Sequence, residues 1–320
     1  MKRQSYLQYI MTNYIIRRLL RSIFTVLVVV SIIFFLLNLL PGDAALLGGD
    51  LRKSQDEEVL KSIREKWGLD KPLPQRYFLY IINLLRGNLG TSYRTSLPVI
   101  KLLAQTIIPT LKLSFFAFII SIIIGLSIGF IAALNRGNMV DFFSMFFSIF
   151  GISAPRFWIG LMLMYVFGAT FKLLPASGYG DGKITYLILP AITLSLPLIA
   201  FLARTTRATV LDVIEEDYVR TAKAKGLSAR MVNIKHVLRN SLISIMTIGG
   251  LQLGSLMANT VIVEKVFSYP GLGSLIVDSI HRRDIPTVQG CVLVFSLSFI
   301  IINLIVDCLY GYTDPRISYN

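Results

Sequence analysis

The sequence predicts an all-α polytopic membrane protein with six transmembrane helices and both termini in the cytoplasm. Three observations carry that reading. Of the 320 residues 54% are hydrophobic and only 16% are charged, whereas about a quarter of a soluble domain is charged. The apolar residues gather into six runs, each about as long as or longer than the roughly 20 residues that cross a bilayer. The basic residues, which give a formal net charge of +14, sit at the ends of those runs. They form no aromatic-interleaved patch, so they read as topology rather than phosphate binding. The expected environment is the lipid bilayer, and no nucleic-acid partner is expected.

Residues 1–40 make an N-terminal tail and a first span. Lys2, Arg3, Arg17, Arg18 and Arg21 precede an uncharged run over 22–40 with no acid among them. That run exceeds a signal core of about 7–15 residues and further spans follow, so it reads as an uncleaved helix. Residues 41–101 are an extracytoplasmic insertion of mixed charge in which short helices are expected. Its ten basic residues do not forbid export, because long loops cross largely regardless of charge. Apolar segments at 102–134, 142–170, 186–208, 242–264 and 288–310 form a five-helix core over 102–310. A cytoplasmic loop over 209–241 interrupts that core, and a cytoplasmic tail, 311–320, ends the chain. Loop 171–185 holds only Lys172 and Lys183. By contrast Arg204, Arg207, Arg220, Lys223, Lys225, Arg230, Lys235 and Arg239 crowd the region from 204 to 240. This asymmetry sets the orientation.

Within the spans, Gly125-Leu126-Ser127-Ile128-Gly129 matches the spacing of a hydrolase nucleophile elbow. That motif needs a strand before the turn, and here it lies in a long apolar run. The glycines instead predict close approach of a second helix. Lys112 and Asp307, near span ends, are expected to snorkel or to form local ion pairs. Pro155, Pro190 and Pro197 each remove a backbone donor and predict kinks in helices that line a cavity. Cys291 and Cys308 share one apolar segment and read as small buried hydrophobes.

The sequence lacks the chemistry of an energy source. No G-x-x-x-x-G-K-[ST] occurs, and Gly178-Tyr179-Gly180-Asp181-Gly182-Lys183-Ile184 has the wrong spacing for a phosphate loop. His236 and His281, the only histidines, show no metal-ligand spacing. No pair of carboxylates is placed for acid–base work. A non-catalytic chain with no cofactor and no metal of its own is expected.

The longest polar stretch between the core spans is Glu215 to Asn240. Its acids lead and its bases end a helix over 215–225, in keeping with the helix dipole. Gly226 supplies the left-handed residue that ends helices, and Ser228 is a candidate N-cap for a second helix through Leu238. Two short helices joined by a sharp turn are expected, with Val219, Ala222 and Gly226 forming a small docking face. Composition alone leaves two readings open: a docking element, or a solvated basic loop against anionic headgroups.

EDYVRTAKAKGLSARMVNIKHVLRN (216–240) closely resembles the cytoplasmic "EAA" coupling loop of ABC importer permeases, in the variant of the dipeptide/oligopeptide/nickel family, which includes glutathione-type members. The resemblance extends to NYIIRRLL (13–20), NLLPGD (38–43), GLDKPL (68–73), GNLGTSYRT (87–95) and PRFWIGLML (155–163). It continues through ILPAITL (188–194), VIVEKVFSYPGLGSLIVDSI (261–280), RDIPTVQG (283–290) and INLIVDCLYGYTDPRI (302–317).

The resemblance implies a type I ABC importer permease fold in a bacterial or archaeal cell membrane. It implies a second homologous permease subunit, two ATPase subunits that bind ATP and magnesium, and an extracytoplasmic solute-binding protein. The cargo it implies is a dipeptide or oligopeptide, with nickel, metal chelates or glutathione as alternatives. An ion-coupled secondary transporter is a more distant reading, for which Asp307 is the candidate coupling residue. By position the resemblance assigns ATPase coupling to Asp217, Tyr218, Arg220, Ala222, Lys225, Gly226, His236, Arg239 and Asn240. It assigns an extracytoplasmic hairpin near the binding protein to Pro270, Gly271, Gly273, Asp278 and Asp284. Arg220 stands where the generic motif has Glu, and Ser244 where the family often has proline.

Overall fold

The computed structural model describes residues 2–39 and 57–313. The PGD of 41–43, the first part of the insertion and the end of the tail lie outside the described residues, as does the side chain of Cys308. Helix α1 (Lys2–Leu39) carries the first span and extends well before residue 22. The insertion holds two short helices, as expected: α2 (Glu57–Trp67) and α3 (Leu73–Leu85). Glu58 lies in the first turn of α2, where the helix dipole favours acids. Its end is followed by Gly68 at φ +65°, the left-handed position that releases a chain from a helix. Pro74 sits in the first turn of α3, where its missing N–H costs nothing.

The remaining helices are α4 (Val99–Leu134), α5 (Met139–Ser153), α6 (Arg156–Leu163), α7 (Ile184–Ile214), α8 (Asp217–Ala224), α9 (Arg239–Val266), α10 (Leu272–His281) and α11 (Ile285–Thr313). Among the described residues there is no strand, only one antiparallel bridge between Thr91 and Pro98. Five segments are long and apolar enough to cross a membrane: Arg17–Leu39, Val99–Leu134, Ile184–Ile214, Ala229–Val266 and Ile285–Asp307. The third expected span is different. It is a bent pair, α5 with α6 and its widened continuation to Thr170, and the two halves are inclined by 106°. Counting the pair as one gives the six spans expected.

Proline accounts for that bend, and the three prolines differ in whether the helix continues through them. Ala154 and Pro155 are extended, with ψ of 132° and 131°, because the residue before a proline avoids the helical region. Here the helix breaks outright. Pro190 and Pro197, expected to act alike, lie inside the continuous α7. Most of α7 from Leu187 to Ala203 is buried, so packing on both sides of each proline holds the helix through the lost hydrogen bond.

The chain divides into two compact units, one of 1–110 with 270–300 and the other of 111–269 with 301–320. In the first, Val99, Leu103, Leu272 and Cys291 form the buried core. An added Cβ at Gly290 would fall 2.6 Å from Val99 Cγ1, so α11 passes α4 at close range there. Phe34 of α1 stacks on Tyr80 of α3, and the Ser31 and Tyr77 hydroxyls share a hydrogen bond of 2.7 Å. In the second unit α7 is central, packing with α5, α6 and α9. The glycine pair of α4 works as a packing device: an added Cβ would meet Leu202 Cβ at 2.8 Å from Gly125, and Ala203 O at 2.4 Å from Gly129. Ser127 Oγ donates to Ile123 O within the same helix, which leaves the hydrolase spacing without its structural context.

Candidate functional site

The polar stretch after α7 starts with a tight connection at Glu215 and Glu216 and then α8. Asp217 opens α8 and Lys223 lies in its last turn, both favourable to the dipole. Gly226 follows at φ +76°, with nothing within 4 Å of where its Cβ would be. Ser228 caps the next turn by accepting from the Met231 N–H at 3.4 Å. Gly226 and Ser228 thus stand where the sequence reading put them.

Two expectations for this stretch are corrected. Val219 and Ala222 do not present a docking face: they are 0% and 4% exposed and pack with Ala133, Val210, Val232 and Val237. The apolar stripe of a short amphipathic helix closes on the nearest apolar surface, and here that surface is the chain's own. Nor does a separate second helix end at Leu238. A single turn, Ala229–Met231, opens a widened helical stretch, Val232–Leu238, which runs directly into α9.

The outward face of the stretch is polar. Asp217, Arg220, Lys223, Lys225, Gly226, Arg230, Lys235, Arg239 and Asn240 are exposed, and Tyr218 is 42% exposed. His236 is half-buried, its carbonyl accepting from Asn240 Nδ2. Arg220 and Asp217 form an ion pair of 3.6 Å on that face, a solvated pair of little energetic consequence. Ala222 is therefore separated from the other assigned coupling residues by its burial.

Beside the stretch, Arg207 on α7 makes a two-pronged contact with Asp141 on α5. Nε lies 2.5 Å from Oδ1 and Nη2 2.8 Å from Oδ2, and Asp141 Oδ2 also accepts the Gly137 N–H at 3.0 Å. The planar guanidinium fork matches the carboxylate. The signal was present in the sequence as an Asp and an Arg at the edges of two apolar runs, but nothing in the spacing pairs residues 66 positions apart.

Further along the same helices lies a cavity of about 230 Å³. It is lined by Arg156, Arg204, Gln252, Ser255 and Asn259 among Leu194, Pro197, Phe201 and other apolar side chains. Arg156 Nη1 donates to Asn259 Oδ1 at 2.8 Å, while its buried Nε has no partner.

In the first unit the assigned hairpin residues separate by role. Pro270 is exposed, Asp278 is half-buried, and Gly271 and Gly273 are buried. Asp284, 3% exposed, accepts from Ser92 Oγ at 2.5 Å, the Tyr93 N–H at 2.9 Å and Thr287 Oγ1 at 2.7 Å. It ties the 86–95 segment of the insertion to the start of α11. Tyr93 stacks on Trp67 at 3.9 Å. Burial pushes its hydroxyl up to about 12, an effect opposed by Arg76 and reinforced by Asp284. These groups border an open cleft of about 390 Å³ that also includes Glu65, Lys71 and Gln289.

The profile of the binding-protein-dependent transport system inner membrane component matches residues 125–319, and that of the N-terminal region of such membrane components matches residues 11–114. The chain belongs to this family. It is 43% identical over 309 residues to the glutathione transport system permease protein GsiC of Pectobacterium atrosepticum, a match covering 97% of this chain and all of that protein. It is 42% identical over 310 residues to the protein of the same name from Escherichia coli strain K12, again over 97% of this chain and all of the relative. Two solved structures share the fold. An inward-facing MetNI methionine ABC transporter aligns with a TM-score of 0.57 at 17% identity, over 67% of this chain and 97% of that one. An amino acid ABC transporter aligns with a TM-score of 0.51 at 17% identity, over 68% of this chain and 95% of that one. The chain is thus a multi-pass inner-membrane permease of an ABC importer with the type I fold.

Proposed function

We propose that this permease forms half of the translocation path for glutathione or a similar small peptide. The observation that carries the cargo is the near-complete, 42–43% identity to permeases of glutathione transport. In this reading the stretch from Asp217 to Asn240 faces the cytoplasm and is gripped by an ATPase subunit. A second permease completes the path, a second ATPase completes the motor, and an extracytoplasmic binding protein delivers the solute. ATP and magnesium belong to the ATPases, and this subunit carries no covalent step.

The mechanism follows from how the stretch is built. Val219 and Ala222 anchor α8 to the chain's own core, so a push on its exposed polar face moves the core with it. The exposed basic and acidic side chains supply orientation, and Gly226 leaves an open notch where a partner's backbone can approach. Substituting Gly226→Asp tests this. Asp tolerates the left-handed conformation and has free space in this chain, so membrane insertion and ATP binding by the ATPases are expected to persist. ATP-driven uptake of glutathione in proteoliposomes is expected to be abolished. Undiminished uptake overturns the coupling assignment.

A further inference from the structure

The cavity lined by Arg156 and Arg204 lies within the second unit, among α5, α6, α7 and α9. Its lining contains two guanidinium groups and no acid. A charged side chain deep in a bilayer costs about 2.5–3.5 kcal/mol even on the mildest scale, so the half-buried Arg156 within the third span needs a reason, and Arg204, exposed toward the cytoplasmic end of α7, adds a second positive charge to the same space. Arg207, one turn beyond Arg204 on α7, shows what the same side chain does when a carboxylate is at hand: it forks onto Asp141. Arg204 makes no hydrogen bond or ion pair among the described residues. Arg156 spends one nitrogen on an amide oxygen and leaves Nε buried and unused.

The position suits a path. Arg156 follows directly on the break of the bent span, and Arg204 lies about 15 Å along α7 from Ile214 at 1.5 Å per residue. Gln252, Ser255 and Asn259 add neutral donors and acceptors from α9. At about 230 Å³ the space is smaller than the roughly 300–1,000 Å³ of pockets that enclose a whole ligand. It fits one end of a solute. A planar, double-donor cation selects carboxylate over other small groups.

We propose that this cavity is a transient binding site for a carboxylate of the transported peptide, held by Arg156 and Arg204 and oriented by Asn259. The proposal rests on the importer reading above and adds the charge class of its cargo. Neutral solutes and cationic ones without a free carboxylate are disfavoured here whatever the binding protein accepts.

The test uses the assembled transporter, this chain with its sister permease and ATPases, in phosphatidylcholine nanodiscs without binding protein. Equilibrium binding is measured for glutathione against its dimethyl ester, and for triglycine against triglycine amide. Arg156→Gln and Arg204→Gln are each expected to weaken the free acids by about ten-fold or more and to leave the capped forms unchanged, as the loss of a charge-assisted hydrogen bond implies. Arg156→Lys is expected to retain part of the discrimination. Equal weakening of acid and capped forms overturns the proposal, as does a wild-type site that fails to distinguish them. Two further outcomes also overturn it: free-acid binding unchanged while a co-purifying anionic phospholipid is lost, or unchanged while the sister permease dissociates. If triglycine behaves as described but glutathione is neither bound nor taken up, the cargo reading fails and the carboxylate site stands.

Discussion

Asp141 and Asp284 are both buried carboxylates that join distant parts of the chain, and they are stabilised by opposite means. Asp141 lies in a membrane-spanning pair and is held by a cation, the Arg207 fork, with one backbone N–H in support. Asp284 has no ion pair among the described residues and is held by neutral donors, two hydroxyls and one backbone N–H. The difference teaches what each must do. At the edge of an apolar span, a buried carboxylate is best tolerated with its counter-charge beside it. Where a loop must be given one shape, several weak directional bonds specify it better than one strong pair.

Breaking the first arrangement should have the largest effect. Asp141→Ala leaves Arg207 half-buried without its carboxylate, and removing one partner of such a pair costs about 3–5 kcal/mol. A large fall in the apparent melting temperature of the purified complex is expected. It should be partly recovered in the swapped double variant Asp141→Arg, Arg207→Asp. The second arrangement should lose less. Asp284→Asn keeps the shape but removes the charge from three hydrogen bonds, at a cost of about 1.5–3 kcal/mol. The readout is faster proteolysis of the 86–95 segment at an intermediate fall in melting temperature. The smallest effect is expected for Ser92→Ala, which removes one donor to Asp284 and the acceptor of the Arg94 and Thr95 N–H groups. That change should cost about 1–2 kcal/mol, with melting shifted by a few degrees. If Ser92→Ala proves as damaging as Asp141→Ala, the contrast between the two anchors is wrong.

The spans were legible because bilayer thickness fixes their length, and a water-soluble fold has little use for an uncharged run that long. The break at Pro155 was not. Pro155, Pro190 and Pro197 look alike in sequence, and only the burial of α7 on both sides of its prolines separates a tolerated defect from a broken helix. In the polar stretch, Gly226 and Ser228 were readable because turn and cap chemistry is local. The role of Val219 and Ala222 was misjudged because periodicity reveals an apolar face without saying what covers it. Arg156 was visible only as the residue after a proline, since the charge balance of a cavity is a property of several helices together.

The fusion of Val232–Leu238 with α9 has a mechanical consequence. From Ala229 to Val266 the chain is helical for 38 residues without a loop, of which the α-helical part Arg239–Val266 alone spans about 42 Å at 1.5 Å per residue. Its widened stretch Val232–Leu238 and the Gly249-Gly250 pair are the places where it can bend. Asn259, which holds Arg156, lies near its far end, so one continuous helix joins the polar stretch beside Ser228 to the arginine's partner.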